Sequence, residues 1–305
     1  MLSALVLAFA LPSGADNLKD VGLEKVTAKV KDGYNFWLYT PSEASEKPSA
    51  PHITDAEIDI LFERFLDDEF RNNDNSTVDD AAGQPKPLVI FLHGKSLCGS
   101  DLDKVRKYGT ISAIEKGRAL DAYVIAPQNP GGQWQPEKIM EVVDYVCGKY
   151  NIDENRIYVL GMSLGGYGTL DFAATYPDRI AAAIGMGGGA TKKDLSGLAD
   201  MPVWIIHGTG DDLVPVSASD KVASAIGEAR DAEDIVRLQY DRIPGMNHSI
   251  LARVFYRADV YEWLFTHSLS QPDRPLTPTL EINDEFFNSA YQGLDHSKGY
   301  KSKKK

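Results

Sequence analysis

From Pro87 onward the chain alternates short, continuous apolar runs with segments of helical periodicity, and this pattern restricts the fold more than any other feature. The apolar runs are Leu88–Leu92, Ala122–Ala126, Arg156–Leu160, Ile180–Met186, Val203–Ile206 and Val236–Tyr240. Between and after them come helical segments at Asp101–Gly117, Pro136–Tyr150, Ser163–Tyr176, Val216–Arg230 and Ile250–His267. A strand that is apolar along its whole length is buried on both faces. The expected fold is therefore α/β, a mostly parallel central sheet with helices on both faces. In such sheets ligands sit beyond the carboxyl ends of the strands, so the residues just after each apolar run are where chemistry is expected.

The chain ahead of Pro87 reads differently. Two alternating segments, EKVTAKV and YNFWLYT, flank Lys31-Asp32-Gly33, which predicts an N-terminal β-hairpin. Residues 43–85 then carry twelve acids and three bases, so most of the net charge of −12 sits in this insert. Inside it Thr54 and Glu57 have capping-box spacing, and Ile58, Leu61, Phe62, Phe65, Leu66 and Phe70 follow at helical intervals. One acidic amphipathic helix is expected there, either docked on the flank of the domain or acting as a lid. The stretch 72–80 lacks the glycine and glutamate of a calcium loop.

Residues 1–15 open on MLSALVLAFA, a short apolar run ending in Ala8-Phe9-Ala10. It reads as an export signal lacking a basic start, or else as a buried first segment, and it is too short to span a membrane. The expected organisation is one domain over 16–270, with the insert at 43–85, followed by an extended or disordered tail over 271–305. A secreted or periplasmic location goes with the export reading.

Composition removes several function classes. An acidic chain with no basic stripe is a poor partner for nucleic acid, whose binding rests on neutralising phosphates. Cys98 and Cys147 read first as two unpaired thiols, with one bridge between them as the alternative, and no Cys/His spacing suits zinc. No metal or cofactor is called for.

The chemistry gathers in three loops. After the run ending at Leu160 comes Gly161-Met162-Ser163-Leu164-Gly165, then a helix. In a strand–turn–helix setting this G-x-S-x-G pattern forces the central serine into a sharp bend that lifts its hydroxyl off the sheet, and the glycines let neighbouring backbone approach. A serine hydroxyl needs a base that is itself oriented by a carboxylate. His248 lies in a loop just ahead of the last helix, where a base is needed, whereas His267 ends a helix and His296 lies in the tail. The acid is sought after Ile206, where Asp211 and Asp212 are adjacent, with Asp211 the first choice. Oxyanion donors are expected from the backbone N–H of Leu164 and from the loop His93-Gly94-Lys95-Ser96. In that loop Lys95 is the first choice and Ser96 the alternative. His93 and His207, each before a glycine, read as structural hydrogen-bonding residues.

In order along the chain, FLHG, PQNPGGQW, GMSLGGYG, HGTGDDLVP and the His248 loop resemble an α/β-hydrolase over about Leu88 to Ser268. Within that superfamily the chain is similar to bacterial secreted esterases of the feruloyl/acetyl-xylan and polyhydroxybutyrate-depolymerase-like branch. The resemblance implies a serine carboxylesterase with Ser163 as nucleophile, Asp211 as acid and His248 as base. It also implies Trp134 near the acyl or sugar pocket, and an ester substrate that is small or carbohydrate-linked. The insert and the tail depart from the family. A prolyl-oligopeptidase-type peptidase shares the triad but usually carries a large N-terminal propeller, for which the chain ahead of Leu88 is too short. A non-catalytic binding module on the same fold has no need for all five of the serine, the acid, the histidine and the two glycine-flanked donor loops.

Overall fold

A computed structural model of the chain describes residues 18–42, 83–229, 236–271, 273–276 and 280–301. The signal-like run, the insert helix expected over 58–70, the 72–80 stretch and the final lysines lie outside the described residues. The described residues form one eight-stranded sheet in the order β1-β2-β4-β3-β5-β6-β7-β8. Its strands are β1 Leu23–Val26, β2 Phe36–Tyr39, β3 Lys86–Leu92, β4 Tyr123–Pro127, β5 Ile152–Met162, β6 Ala182–Met186, β7 Val203–Gly208 and β8 Leu238–Ile243. Strands β3 to β8 pair in parallel, whereas β1 and β2 are antiparallel to each other and β2 is antiparallel to β4. Between β1 and β2 the chain takes a loop over residues 27–35, with Ala28 at φ 54°, instead of a tight Asp-Gly turn.

The alternation of side chains along a strand sends successive apolar residues to opposite faces, so each run feeds two cores. On one side Val89, Phe91, Leu160 and Trp204 pack with Ile111 and Ile114 of α1 (Thr110–Glu115) and with Val260, Trp263 and Leu264 of α5 (Ala258–Phe265). On the other side Leu88, Ile90, Leu92, Val159 and Ile205 meet α2 (Pro136–Lys149), α3 (Leu164–Thr175) and α4 (Ser217–Glu228). No disulfide joins Cys98 to Cys147.

Two expected helices are broken. Asp101–Gly117 divides into a 3-10 turn, Leu102–Lys107, and the short α1, because Tyr108 is extended and Gly109 sits at φ 90°. Gly109 is a backbone necessity: a β-carbon there would overlap the ring of Phe91. Ile250–His267 divides at Arg257, whose extended ψ of 133° separates the 3-10 helix His248–Tyr256 from α5. His267, at the end of its helix, is buried against Trp263, and burial lowers its pKa to about 4. Strand β8 runs three residues past the predicted Tyr240, which carries the chain to the level of the neighbouring strand ends. In the segment expected to be extended or disordered, α6 (Asp284–Asn288) buries Phe286 and Phe287 against the first core.

Candidate active site

The carboxyl ends of β3, β5 and β6 are level: Leu92 pairs with Gly161 and Met162 with Met186. Their following loops therefore converge on one place. Ser163, between β5 and α3, has φ 61° and ψ −124°, a conformation side chains rarely adopt. The surrounding backbone holds it there. Its N–H donates to the Met186 carbonyl at 2.8 Å. A β-carbon on Gly161 would press into the Gly165 and Leu92 carbonyls, and one on Gly165 would overlap the Leu92 carbonyl. This is the physical content of the two flanking glycines: strand β3 passes too close to the elbow to admit side chains.

The residues expected as acid and base come from the other half of the sheet. His248 Nδ1 donates to Asp211 Oδ2 at 2.6 Å, and the Asp211 carboxylate is fully buried. Its second oxygen, Oδ1, accepts the N–H groups of Leu213 at 2.9 Å and Val214 at 2.8 Å. Burial pushes the Asp211 pKa up, but the hydrogen bonds from Val214, His248 and Leu213 outweigh it and hold the carboxyl below its ordinary value. Asp212 is exposed, so Asp211 is the residue turned toward His248. With Nδ1 engaged, Nε2 is the imidazole nitrogen left for a serine hydroxyl. Gly187, at φ 50°, makes room for the ring: a β-carbon there would lie 3.3 Å from His248 Nδ1 and 2.8 Å from Leu251 Cδ1.

A second imidazole touches the same carboxylate. His207 Nε2 lies 3.2 Å from Asp211 Oδ2 and 3.0 Å from the Val214 carbonyl, and its Nδ1 is 2.7 Å from Ser219 Oγ. That hydroxyl donates in turn to the Gly188 carbonyl at 2.7 Å. His207 is the structural residue expected, and what it supports is the acid loop.

Ser163, Leu164, Lys95 and His248 all line one cavity of about 770 Å³, shared with Tyr108, Gln133, Tyr167 and Leu213. Leu164 begins α3 and Lys95 begins the 3-10 turn Lys95–Leu97. The first N–H groups of a helix have no acceptor within it, so both residues can offer a donor to an oxygen bound at Ser163. Ser96, the alternative, also lines the cavity. The arrangement brings together a strained serine, an oriented imidazole and free backbone donors around a space large enough for a small ester.

Trp134 requires correction. It is 3% exposed, it does not line the cavity, and its Nε1 donates to the His93 carbonyl at 3.2 Å. Its ring packs edge-on against Tyr34 and His93, and a β-carbon on Gly168 of α3 would come within 2.6 Å of it. Trp134 is a brace beneath the loop after β3; its neighbour Gln133 reaches the cavity. His93, as expected, serves structure: its Nδ1 lies 2.8 Å from the Gly94 carbonyl and its Nε2 accepts the Asn129 N–H at 3.0 Å. Sequence reasoning gave no role to Tyr108, Tyr167 or Leu213. Leu213 alone left a trace, as an apolar residue in a polar loop; it is 71% exposed at the rim.

Residues 133–268 match the α/β-hydrolase family described as Phospholipase/Carboxylesterase. Among curated proteins, the chain is 34% identical over 124 residues to a poly(3-hydroxyalkanoate) depolymerase C of Paucimonas lemoignei, covering 35% of this chain and 28% of that protein. It is 31% identical over 140 residues to a bifunctional acetylxylan esterase/xylanase of Neocallimastix patriciarum, covering 42% of this chain and 20% of the relative. The chain thus spans less than half the length of these curated relatives. Among solved structures, a thermostable esterase superposes with a TM-score of 0.54 at 23% identity, over 81% of this chain and 63% of that one. The fold is that of the α/β-hydrolases.

Proposed function

We propose that this α/β-hydrolase, whose residues 133–268 carry the phospholipase/carboxylesterase pattern, is a serine carboxylesterase acting through an acyl-enzyme. One observation carries the reading: His248, held 2.6 Å from Asp211, lines the same cavity as the strained Ser163. In the reaction Ser163 Oγ attacks the ester carbonyl while His248 Nε2 takes its proton, and Asp211 stabilises the resulting imidazolium. The carbonyl oxygen becomes an oxyanion that accepts the N–H groups of Leu164 and Lys95. The tetrahedral adduct collapses, breaking the bond to the alcohol oxygen, and His248 delivers the proton to the departing alcohol. Water then enters, loses a proton to His248 and releases the acid, which restores the serine hydroxyl.

For the substrate we propose acetyl or feruloyl esters, small or attached to plant polysaccharide. The names of several relatives support this, among them acetylxylan esterase and feruloyl esterase. The half-open cavity with an apolar Leu213 on its rim is compatible with a flat or small acyl group. A panel of acetyl, butyryl and feruloyl esters, each with and without a xylo-oligosaccharide, tests both levels. Hydrolysis of simple esters by wild type and none by Ser163→Ala is expected. Undiminished turnover in Ser163→Ala would refute the nucleophile, and equal rates across the panel would refute the substrate class.

A further inference from the structure

The loop after β3 holds a hydroxyl whose geometry the two backbone donors leave unexplained. Tyr108 lines the cavity with Ser163, Lys95, Leu164 and His248. The Gly94 N–H donates to its phenol oxygen at 2.9 Å, so the one backbone donor of this loop aimed at Tyr108 is already engaged. The Ser96 hydroxyl is placed to donate to the same oxygen. An oxygen that accepts from both sides has one proton of its own left to give. The position a β-carbon on Gly94 would occupy lies 2.8 Å from the Tyr108 Oη and 3.4 Å from Ser163 Cβ. A side chain at position 94 would collide with the phenol, so glycine is what lets the Tyr108 hydroxyl and Ser163 crowd the same stretch of backbone. The ring itself is braced edge-on by Phe91, 6.5 Å between centroids, from the core beneath the sheet's end.

We propose that the Tyr108 hydroxyl is a further catalytic residue, a third oxyanion donor beside the N–H groups of Lys95 and Leu164. This rests on the esterase reading above. As the ester carbonyl becomes tetrahedral, its oxygen turns toward the phenol across the cavity, and the phenol O–H donates a hydrogen bond without transferring its proton. The Gly94 N–H, by donating to the same phenol oxygen, polarises the O–H and strengthens it as a donor. Burial raises the Tyr108 pKa above its ordinary value, against the lowering effect of the Ser96 and Gly94 hydrogen bonds, so the donor stays protonated through neutral pH. Its titratable neighbours are the Cys98 thiol and the Tyr256 phenol, with Lys95 and His248 across the cavity.

Two variants separate this role from simple support of the loop, each assayed on nitrophenyl acetate from pH 6 to 10. Tyr108→Phe is expected to lower kcat by about a hundredfold, the scale of losing one oxyanion donor, with KM within about twofold. The second replaces Tyr108 with trifluorotyrosine, a phenol that ionises more readily. Its phenolate still accepts from Gly94 and Ser96 but can no longer donate. Activity should therefore fall with rising pH at a point where wild type stays flat, while KM and the unfolding midpoint hold. Turnover within about threefold of wild type in Tyr108→Phe, or a trifluorotyrosine profile matching wild type, overturns the role and leaves the esterase reading standing. Failure of wild type to hydrolyse any ester overturns both.

Discussion

The proposed nucleophile and the proposed acid–base pair are held in place by different balances of restraint. Around Ser163 the restraint is backbone on backbone: the Met186 carbonyl takes its N–H, and Gly161 and Gly165 face the Leu92 carbonyl at distances that admit no side chain. Around Asp211 and His248 the restraint includes a network of polar side-chain contacts, running from Ser219 through His207 to the carboxylate and on to His248. Backbone packing reaches this loop too, since β-carbons on Gly208 and Gly210 would press into the Met246 and Gly245 carbonyls; what the loop adds is the side-chain network. The first kind of restraint breaks through sterics and takes the fold with it. The second breaks through chemistry and leaves the fold.

The largest effect is expected on the steric side. Gly165→Val puts branched carbon into the Leu92 carbonyl, and an overpacked site with no rotamer to escape into costs about 3 kcal/mol or more. Loss of soluble, cooperatively unfolding protein is expected; a folded, active Gly165→Val enzyme would break the comparison. Next comes the chemical side. Asp211→Asn keeps the shape of the side chain but removes the charge that fixes the His248 tautomer, and a kcat loss of about 10⁴-fold is expected by analogy with such triads. Its circular dichroism and unfolding midpoint should stay close to wild type. A smaller loss, about tenfold in kcat with KM unchanged, is expected for His207→Gln, which disturbs the acid from behind. An equal loss in Asp212→Asn would contradict the assignment of the buried carboxylate.

These contrasts also explain what was legible beforehand. The strained bend at Ser163 could be read because its restraint is local: the two glycines and the serine stand within five residues, and the strand–helix context is periodic. His248 was legible through topology, as the histidine ahead of the last helix. The choice between Asp211 and Asp212 turned on which side chain folds back under the loop, a tertiary fact that spacing between adjacent residues does not carry. Trp134 was misassigned because an aromatic residue near a site reads alike whether it faces substrate or braces a loop. The breaks at Gly109 and Arg257 were invisible to periodicity, since the apolar spacing of Ile111 and Ile114 continues the rhythm of Leu102 and Val105 across the kink. Tyr108 stands in that kink, which is why its place in the cavity went unread.

Acid should act on the steric side as well. His93, which props the loop after β3, is buried and has its pKa lowered to about 4 from 6.5, and His267 is held at about 4 in the same way. A base whose folded pKa is depressed leaves the unfolded chain to take up the proton first. Stability therefore falls as pH drops from about 6.5 toward 4 and is intact above that window. The unfolding midpoint is expected to fall by several degrees between pH 7 and pH 4, with a shallower fall in His267→Phe. Asp211, held below its ordinary pKa, adds its own loss only as the pH drops below about 4. A midpoint independent of pH across 4 to 7 would contradict the neutral, buried state of both rings.

The central claim is that one strained hydroxyl at position 163 is activated by the imidazole at 248. Reaction with a fluorophosphonate followed by peptide mass analysis addresses it most directly. A single adduct on Ser163 is expected in wild type, absent in Ser163→Ala and slowed by orders of magnitude in His248→Ala. An adduct on a different residue, or equal labelling rates with and without the imidazole, would contradict the account.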